Sequence, residues 1–467
     1  MSSYATPAAL GGDAPLSLGD EIPSQQERET IDIGKVLDDG PFTGFQRFIV
    51  LLAALAVIFD GCDTQLIGFA IPVLIKEWGI ARNAFAPVVA AGLIGMAIGS
   101  ASAGLLADRF GRRWAIIGSV LVFSVATGAI SLAPNLWAIA LLRFVAGLGI
   151  GGAVPTSATL TAEYTPARQR TIAITATILC VPLGGMVAGL FSSFVLPAYG
   201  WRGLFVIGGV LPFVLALILI FALPESPRFL SRRPHRWGEL VRLLGRMSRQ
   251  VAPDTKFVDA REQASERHVG FSALFKDGRA ADTAAIWCAF FMCLLAVYAA
   301  FSWLPTMLTN EGLSVKAAGF GLTLYNLGGA LGALACAVLI SKFGSRVPLV
   351  LCCAGAAASV WLLMSVNILT HVPLLMIGLF AHGMFVNAVQ VAMVALCAYV
   401  YPTRVRATGT ASAFSFGRIG SILSAFAGAA VISAGGASSY LLMLGCAMTV
   451  VLLALAMVRR HIPAGVH

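Results

Sequence analysis

Apolar stretches of about 20 residues alternate with short polar breaks along almost the whole chain. They fall at about 47–70, 84–107, 114–133, 136–158, 170–196, 200–222, 282–308, 315–341, 346–367, 372–400, 406–433 and 436–459. Each is long enough to cross a hydrocarbon core of about 30 Å as an α-helix. A helix also satisfies its own backbone hydrogen bonds, which lipid cannot do for it. The pattern predicts an all-α integral membrane protein with twelve transmembrane helices, numbered here as spans one to twelve. One long polar interruption separates six spans from six others, so two pseudo-symmetric halves are expected. The expected layout is a disordered cytoplasmic tail at 1–45, an N-terminal six-helix bundle at 46–222, a cytoplasmic linker at 223–281 and a C-terminal six-helix bundle at 282–460.

Composition agrees with a membrane location. Of 467 residues, 58% are hydrophobic and 12% charged, against about 25% charged in an average soluble chain. A net charge of +10 would point to nucleic acid in a soluble protein, but its distribution answers otherwise. The segments placed inside by this topology hold 26 Lys and Arg, and the outer loops hold four: Lys76, Arg82, Arg202 and Lys316. That asymmetry sets both termini in the cytoplasm and makes the basic excess a topology signal, with no nucleic-acid role. The nine cysteines fall within spans without metal-ligand spacing, so no metal or cofactor is expected. The N-terminal tail lacks the apolar core of a signal peptide. An alanine-, glycine- and arginine-rich composition points to a bacterial inner membrane.

The chemistry concentrates where charges enter apolar spans. Phe59-Asp60-Gly61-Cys62-Asp63-Thr64 puts two carboxylates about one turn apart in span one. A charge at mid-membrane costs roughly 2.5–3.5 kcal/mol, so it faces a cavity, finds a partner or carries protons. A structural ion pair between packed helices is the plain alternative. Arg143 in span four lies at a depth similar to Asp63, and the glycines of Gly147-Leu-Gly149-Ile-Gly151 allow close helix approach. Arg143 is therefore the natural counter-charge to Asp63 or Asp60. Arg418 sits between Gly417 and Gly420 in span eleven, and past Asp282 at the edge of span seven the second-half spans contain no acid to neutralise it. Such a cation suits an anionic substrate. Around it, Tyr298, Phe301 and Trp303 of span seven, Tyr325 and Asn326 of span eight, and His382, Asn387 and Gln390 of span ten are candidate substrate contacts. Each aromatic taken singly is equally a packing residue, and His382 is either a relay or donor or a hydrogen-bonded bundle histidine.

At the cytoplasmic ends, Gly104-Leu-Leu-Ala-Asp108-Arg109-Phe-Gly111-Arg112-Arg113 joins spans two and three. Glu163-Tyr-Thr-Pro166-Ala-Arg168-Gln-Arg170 follows span four, and Tyr401-Pro402-Thr-Arg404-Val-Arg406 is its counterpart after span ten. Aligning Pro166 with Pro402 also brings Gly147 onto Gly383, which marks an internal repeat with its acid missing in the second half. These charges are expected to act as conformational latches. The basic linker, with its amphipathic Leu240–Met247, is expected either to lie on the anionic inner leaflet or to serve as a solvated tether.

The Gly104–Arg113 loop matches the signature of the major facilitator superfamily. With Asp60-Gly-Cys-Asp63, Arg143, the Tyr401–Gly409 run and Gly417-Arg418-Ile-Gly420, the chain from about 45 to 460 resembles the aromatic acid/proton symporter family of that superfamily. Cys62 stands where an aromatic residue is more common, which bears on the particular substrate. The resemblance implies inward co-transport of protons with a small aromatic carboxylate such as 4-hydroxybenzoate, protocatechuate, benzoate or gentisate. It also implies alternating access by rocking of the halves, in a single-chain carrier expected to be a monomer in the lipid bilayer. The coupled acids titrate as a pair, and their protonation would loosen the hold on Arg143. A proton-coupled sugar or other organic-acid porter is the alternative, because Asp63-Thr64 and Arg143 resemble the sugar porters as well. Val181-Pro182-Leu-Gly184-Gly185 faintly resembles drug/proton antiporters. An enzyme is not expected, since no catalytic constellation or nucleophile motif appears. A receptor that binds without transporting would be separated from a carrier by a flux assay.

Overall fold

The computed structural model describes residues 30–249, 251–252, 255–259, 274–275, 278–401 and 405–464. Spans one to four are the helices Gly44–Trp78, Ala86–Phe110, Arg112–Ile130 and Leu136–Tyr164. Spans seven to ten are Ala280–Asn310, Val315–Phe343, Arg346–Ser365 and Val372–Val400. Two further helices, Ala167–Ala222 and Arg406–Met457, run for 56 and 52 residues. With a rise of about 1.5 Å per residue, neither fits across one bilayer as a straight rod. Each is broken by glycine in a backbone conformation closed to helix: Gly200 at φ 63°, and Gly436 at φ 61° beside Gly435. The breaks divide them into spans five and six and spans eleven and twelve, which makes twelve crossings.

Span one starts at a capping box. Thr43 accepts from the Gln46 backbone, and the Gln46 side chain accepts from the Thr43 amide. Gln46 also donates to the Tyr164 carbonyl at 2.7 Å, tying the start of span one to the end of span four. Within the first half, span two packs along span four and span one along span five. In the second half, span seven packs along eleven and span eight along ten. The halves meet where span five faces eight, one faces seven and two faces eleven. Hydrogen bonds between the halves, among the described residues, run from the end opposite the linker (Arg82 to Asn310, Ser433 to Asn83) to the middle of the bundle.

Two expectations for the polar segments need correction. Residues assigned to a disordered tail are ordered from Thr30. Strand Thr30–Asp32 pairs in parallel with Lys256–Val258 of the linker, and helix Ile33–Asp38 follows with Ile33 and Leu37 buried. The strand's partner lies far along the chain, beyond the whole first half, so local composition cannot reveal it. The linker helix Trp237–Arg246 does not turn its apolar face to lipid: Leu240, Leu243, Leu244 and Met247 are buried in the protein. Trp237 packs edge-on against Phe257, and Arg246 lies over the ring of Phe45. The linker is neither a free tether nor a surface-lying helix there, but part of a small domain on the first half.

Candidate functional site

The central polar cluster depends on close helix crossings. Gly61 and Gly184 bring spans one and five together: a Cβ on Gly61 would overlap the Val181 carbonyl, and one on Gly184 the Ile58 carbonyl. Only small residues let two backbones approach this far without lost packing. This crossing flanks the two aspartates.

Asp63 is 1% exposed. Its Oδ1 accepts from Thr127 Oγ1 of span three at 2.6 Å, and its Oδ2 lies 3.5 Å from Arg143 Nη1. Arg143 Nη1 also donates to the Asp63 backbone carbonyl at 3.2 Å. Arg143 packs on Gly92 of span two and is itself 4% exposed, so the pair is sealed from both sides. Asp60, one turn earlier, is 4% exposed, and its Oδ1 has no hydrogen-bond partner. Its charged neighbours are Asp63 and, across the interface, Arg418. The acid of the second-half helices, Asp282, lies in the first turn of span seven and accepts from the Arg459 amide at 2.8 Å. The acid whose field Arg418 shares is Asp60 of the other half.

Arg418 is half-buried. Its Nη1 donates to the Tyr298 hydroxyl at 2.8 Å and to Met96 Sδ of span two at 2.7 Å. Both partners are neutral, which leaves most of the guanidinium's bidentate capacity for an anion. From Tyr298 an aromatic wall continues through Phe301, at 5.7 Å between ring centres, to Tyr325 at a further 6.2 Å and His382 at 6.0 Å. Asn326, next to Tyr325, is fully buried and exchanges two hydrogen bonds with Gln65 of span one.

The other expected contacts are dispersed. His382 is held at Nδ1 by Ser359 Oγ at 2.9 Å and the Ala356 carbonyl at 3.2 Å, which anchors it to span nine. Trp303 is fully buried and packs on Gly428. Asn387 donates to the Gly383 carbonyl one turn back and packs on Gly329. Gln390 is half-buried on span ten. The central residues not singled out from the sequence are Gln65, Met96 and Thr127. Two are neutral amide or hydroxyl side chains of ordinary type, and Met96 reads as a packing residue. Only the crossing geometry gives them polar partners.

At the linker face, Arg112 lies 2.9 Å from Asp108 and 3.3 Å from Glu163, joining spans two, three and four. The Arg113 amide donates to Glu225 Oε1, and Gly111 sits against that carboxylate. Burial pushes the Glu225 carboxyl above the usual range. The Arg109 guanidinium lies over Phe110 while its carbonyl accepts from Arg233, and Gly104 faces open space. Asp38 of the N-terminal segment pairs with Arg170 at the start of span five and lies 3.9 Å from Arg228 of the linker, which pairs with Asp259 at 3.0 Å. Arg168 is exposed. Arg406 Nε donates to the Tyr401 carbonyl at 3.5 Å, and Arg404 lies outside the described residues.

The Major Facilitator Superfamily model matches residues 53–323 and 286–466. The 4-hydroxybenzoate transporter of Pseudomonas putida is 37% identical over 411 residues, covering 87% of this chain and 91% of that one. The gallate transporter of the same species is 34% identical over 405 residues, covering 87% and 90%. The chain belongs to the aromatic acid transporter family of the major facilitator superfamily. Among solved structures, a partially occluded, inward-open form of the Escherichia coli xylose transporter superposes with a TM-score of 0.71 at 18% identity, covering 90% of this chain and 99% of that one. That likeness is one of fold. With its twelve crossings, the family member described here is a multi-pass membrane protein.

Proposed function

We propose that this protein imports a small aromatic carboxylate, of the hydroxybenzoate or benzoate class, together with protons. It is a carrier and not an enzyme. The observation that carries the reading is Arg418: a half-buried guanidinium in mid-bundle, held by two neutral partners at the start of an aromatic wall. A carboxylate docks on the guanidinium by charge-assisted hydrogen bonds, and its ring lies along Tyr298 and Phe301. Sugar-binding sites have no need of such a cation, and the family relatives are named for aromatic acids.

Proton coupling belongs to Asp60, Asp63 and Arg143. In this reading a proton entering at the aspartates loosens Asp63 from Arg143 and Asp60 from Arg418. The halves then rock about the mid-membrane site. The charges of Gly104–Arg113, Glu163, Arg168, Arg170, Arg404 and Arg406 act as latches at the linker face. The linker and both termini are cytoplasmic by the distribution of Lys and Arg. The carrier works as a monomer in a bacterial inner membrane.

The test is substrate exchange in proteoliposomes, with labelled 4-hydroxybenzoate competed by aromatic acids and by glucose. Aromatic acids alone should compete, and Arg418→Ala should weaken competition by about tenfold to a hundredfold, the scale of a charge-assisted contact. Competition by glucose, or undiminished aromatic competition in Arg418→Ala, would assign the site to another ligand.

A further inference from the structure

The amide pair between the halves has a consequence for selectivity. Gln65 Nε2 donates to Asn326 Oδ1 at 3.1 Å, and Asn326 Nδ2 donates to Gln65 Oε1 at 2.9 Å. Both side chains are fully buried. Gly185 of span five makes room for the pair, since a Cβ there would run into Gln65 and come within 2.7 Å of Asn326 Oδ1. The Tyr325 hydroxyl, on the residue beside Asn326, is buried without a hydrogen-bond partner. This polar spot lies at the far end of the aromatic wall that begins at Arg418.

We propose that Gln65 and Asn326 read a hydroxyl group on the substrate ring, and that they satisfy each other when the ring carries none. A phenol both donates and accepts, and recognising it takes an acceptor and a donor side by side. A reciprocal amide pair presents both. Each amide oxygen keeps a lone pair beyond the one used in the pair, so the hydroxyl can enter by exchange. Because the two amides come from opposite halves, a hydroxylated ring is held by both bundles at once, while Arg418 holds the carboxylate. An unsubstituted benzoate leaves the amides paired, and neither amide is orphaned. The preference for hydroxylated acids is therefore moderate, about tenfold, and well below the roughly 10⁴-fold seen when a missing hydroxyl strands its binding groups. The inference rests on the aromatic-acid reading of the site.

Full-length protein in proteoliposomes is assayed by exchange of labelled 4-hydroxybenzoate. The readout is the ratio of half-inhibiting concentrations of unlabelled benzoate and 4-hydroxybenzoate. In the wild type this ratio should be about ten. In Gln65→Met and in Asn326→Leu it should fall to about one. A ratio near one in the wild type overturns the inference. So does an undiminished ratio in either folded variant, with or without a loss of rate, since the pair would then be structural only. The wild-type ratio decides against the proposal even where neither variant is recovered folded. Wild-type vesicles that exchange neither acid would defeat the transport reading itself, an outcome distinct from a ratio near one.

Discussion

At the scale of single residues, the two aspartates of span one have different surroundings. Asp63 is engaged by Thr127, by Arg143 and through its own backbone carbonyl. Asp60 keeps an oxygen without a partner and shares the field of Arg418 across the interface. An Asp63→Asn side chain can still accept from Thr127, but it no longer gains or loses the charge that Arg143 answers. This variant should retain exchange of aromatic acid between equal pools. It should lose uphill accumulation under an inward proton gradient, measured as the ratio of internal to external label. Accumulation equal to the wild type would remove Asp63 from the coupling step. The sequence exposed the charged members of this site, because charge in an apolar span is costly and so stands out. Gln65, Met96 and Thr127 stayed hidden, because neutral polar or sulfur-bearing side chains in membrane helices carry no comparable penalty until a partner is seen.

At the scale of elements, the repeat visible in the sequence is visible in backbone contact. Gly147 of span four meets the Gly92 carbonyl of span two, and Gly383 of span ten meets the Tyr325 carbonyl of span eight. The offset that carries Pro166 onto Pro402 thus carries one helix crossing onto another as well. The linker was less legible, because its order comes from partners distant in sequence: Asp38 with Arg170, Arg228 with Asp259, and one parallel strand pair. Glu225 joins the linker to the loop between spans two and three. It accepts from the Arg113 and Ser226 amides at Oε1, while Oε2 is buried without a partner. Burial raises its folded-state titration above the usual glutamate range, so the folded protein keeps this proton longer than the unfolded chain does. Its contribution to stability is then most favourable below the unfolded value and declines as pH rises through the window up to the folded value. Glu225→Gln keeps an acceptor at Oε1 and removes that decline. The apparent melting temperature of the wild type in detergent should therefore fall relative to the variant as pH is raised from about 4 to 7. Parallel curves would show that Glu225 does not titrate differently on unfolding.

At the scale of the whole molecule, the halves are joined by few polar contacts among the described residues, and these lie in the middle and at the end away from the linker. Arg82 meets Asn310 and Asn83 meets Ser433 at that end. The central contacts of Arg418 with Met96, and of Gln65 with Asn326, are the ones a substrate would displace. Such hydrogen bonds are worth about 1 kcal/mol each net of water between neutral groups, and about 1.5–3 kcal/mol where a guanidinium donates. A handful can hold one arrangement of the bundles and still be exchanged for contacts to a bound acid. The interface is thus a set of replaceable contacts around Arg418 and the two aspartates, and in the proposed mechanism proton entry drives aromatic-acid entry through it. The most direct test is uptake of labelled 4-hydroxybenzoate by wild-type proteoliposomes, with and without an imposed inward proton gradient. Accumulation above the external concentration is expected only with the gradient, and it should collapse on addition of a protonophore. Uptake that merely equilibrates, at the same level with or without the gradient, would contradict proton-driven import.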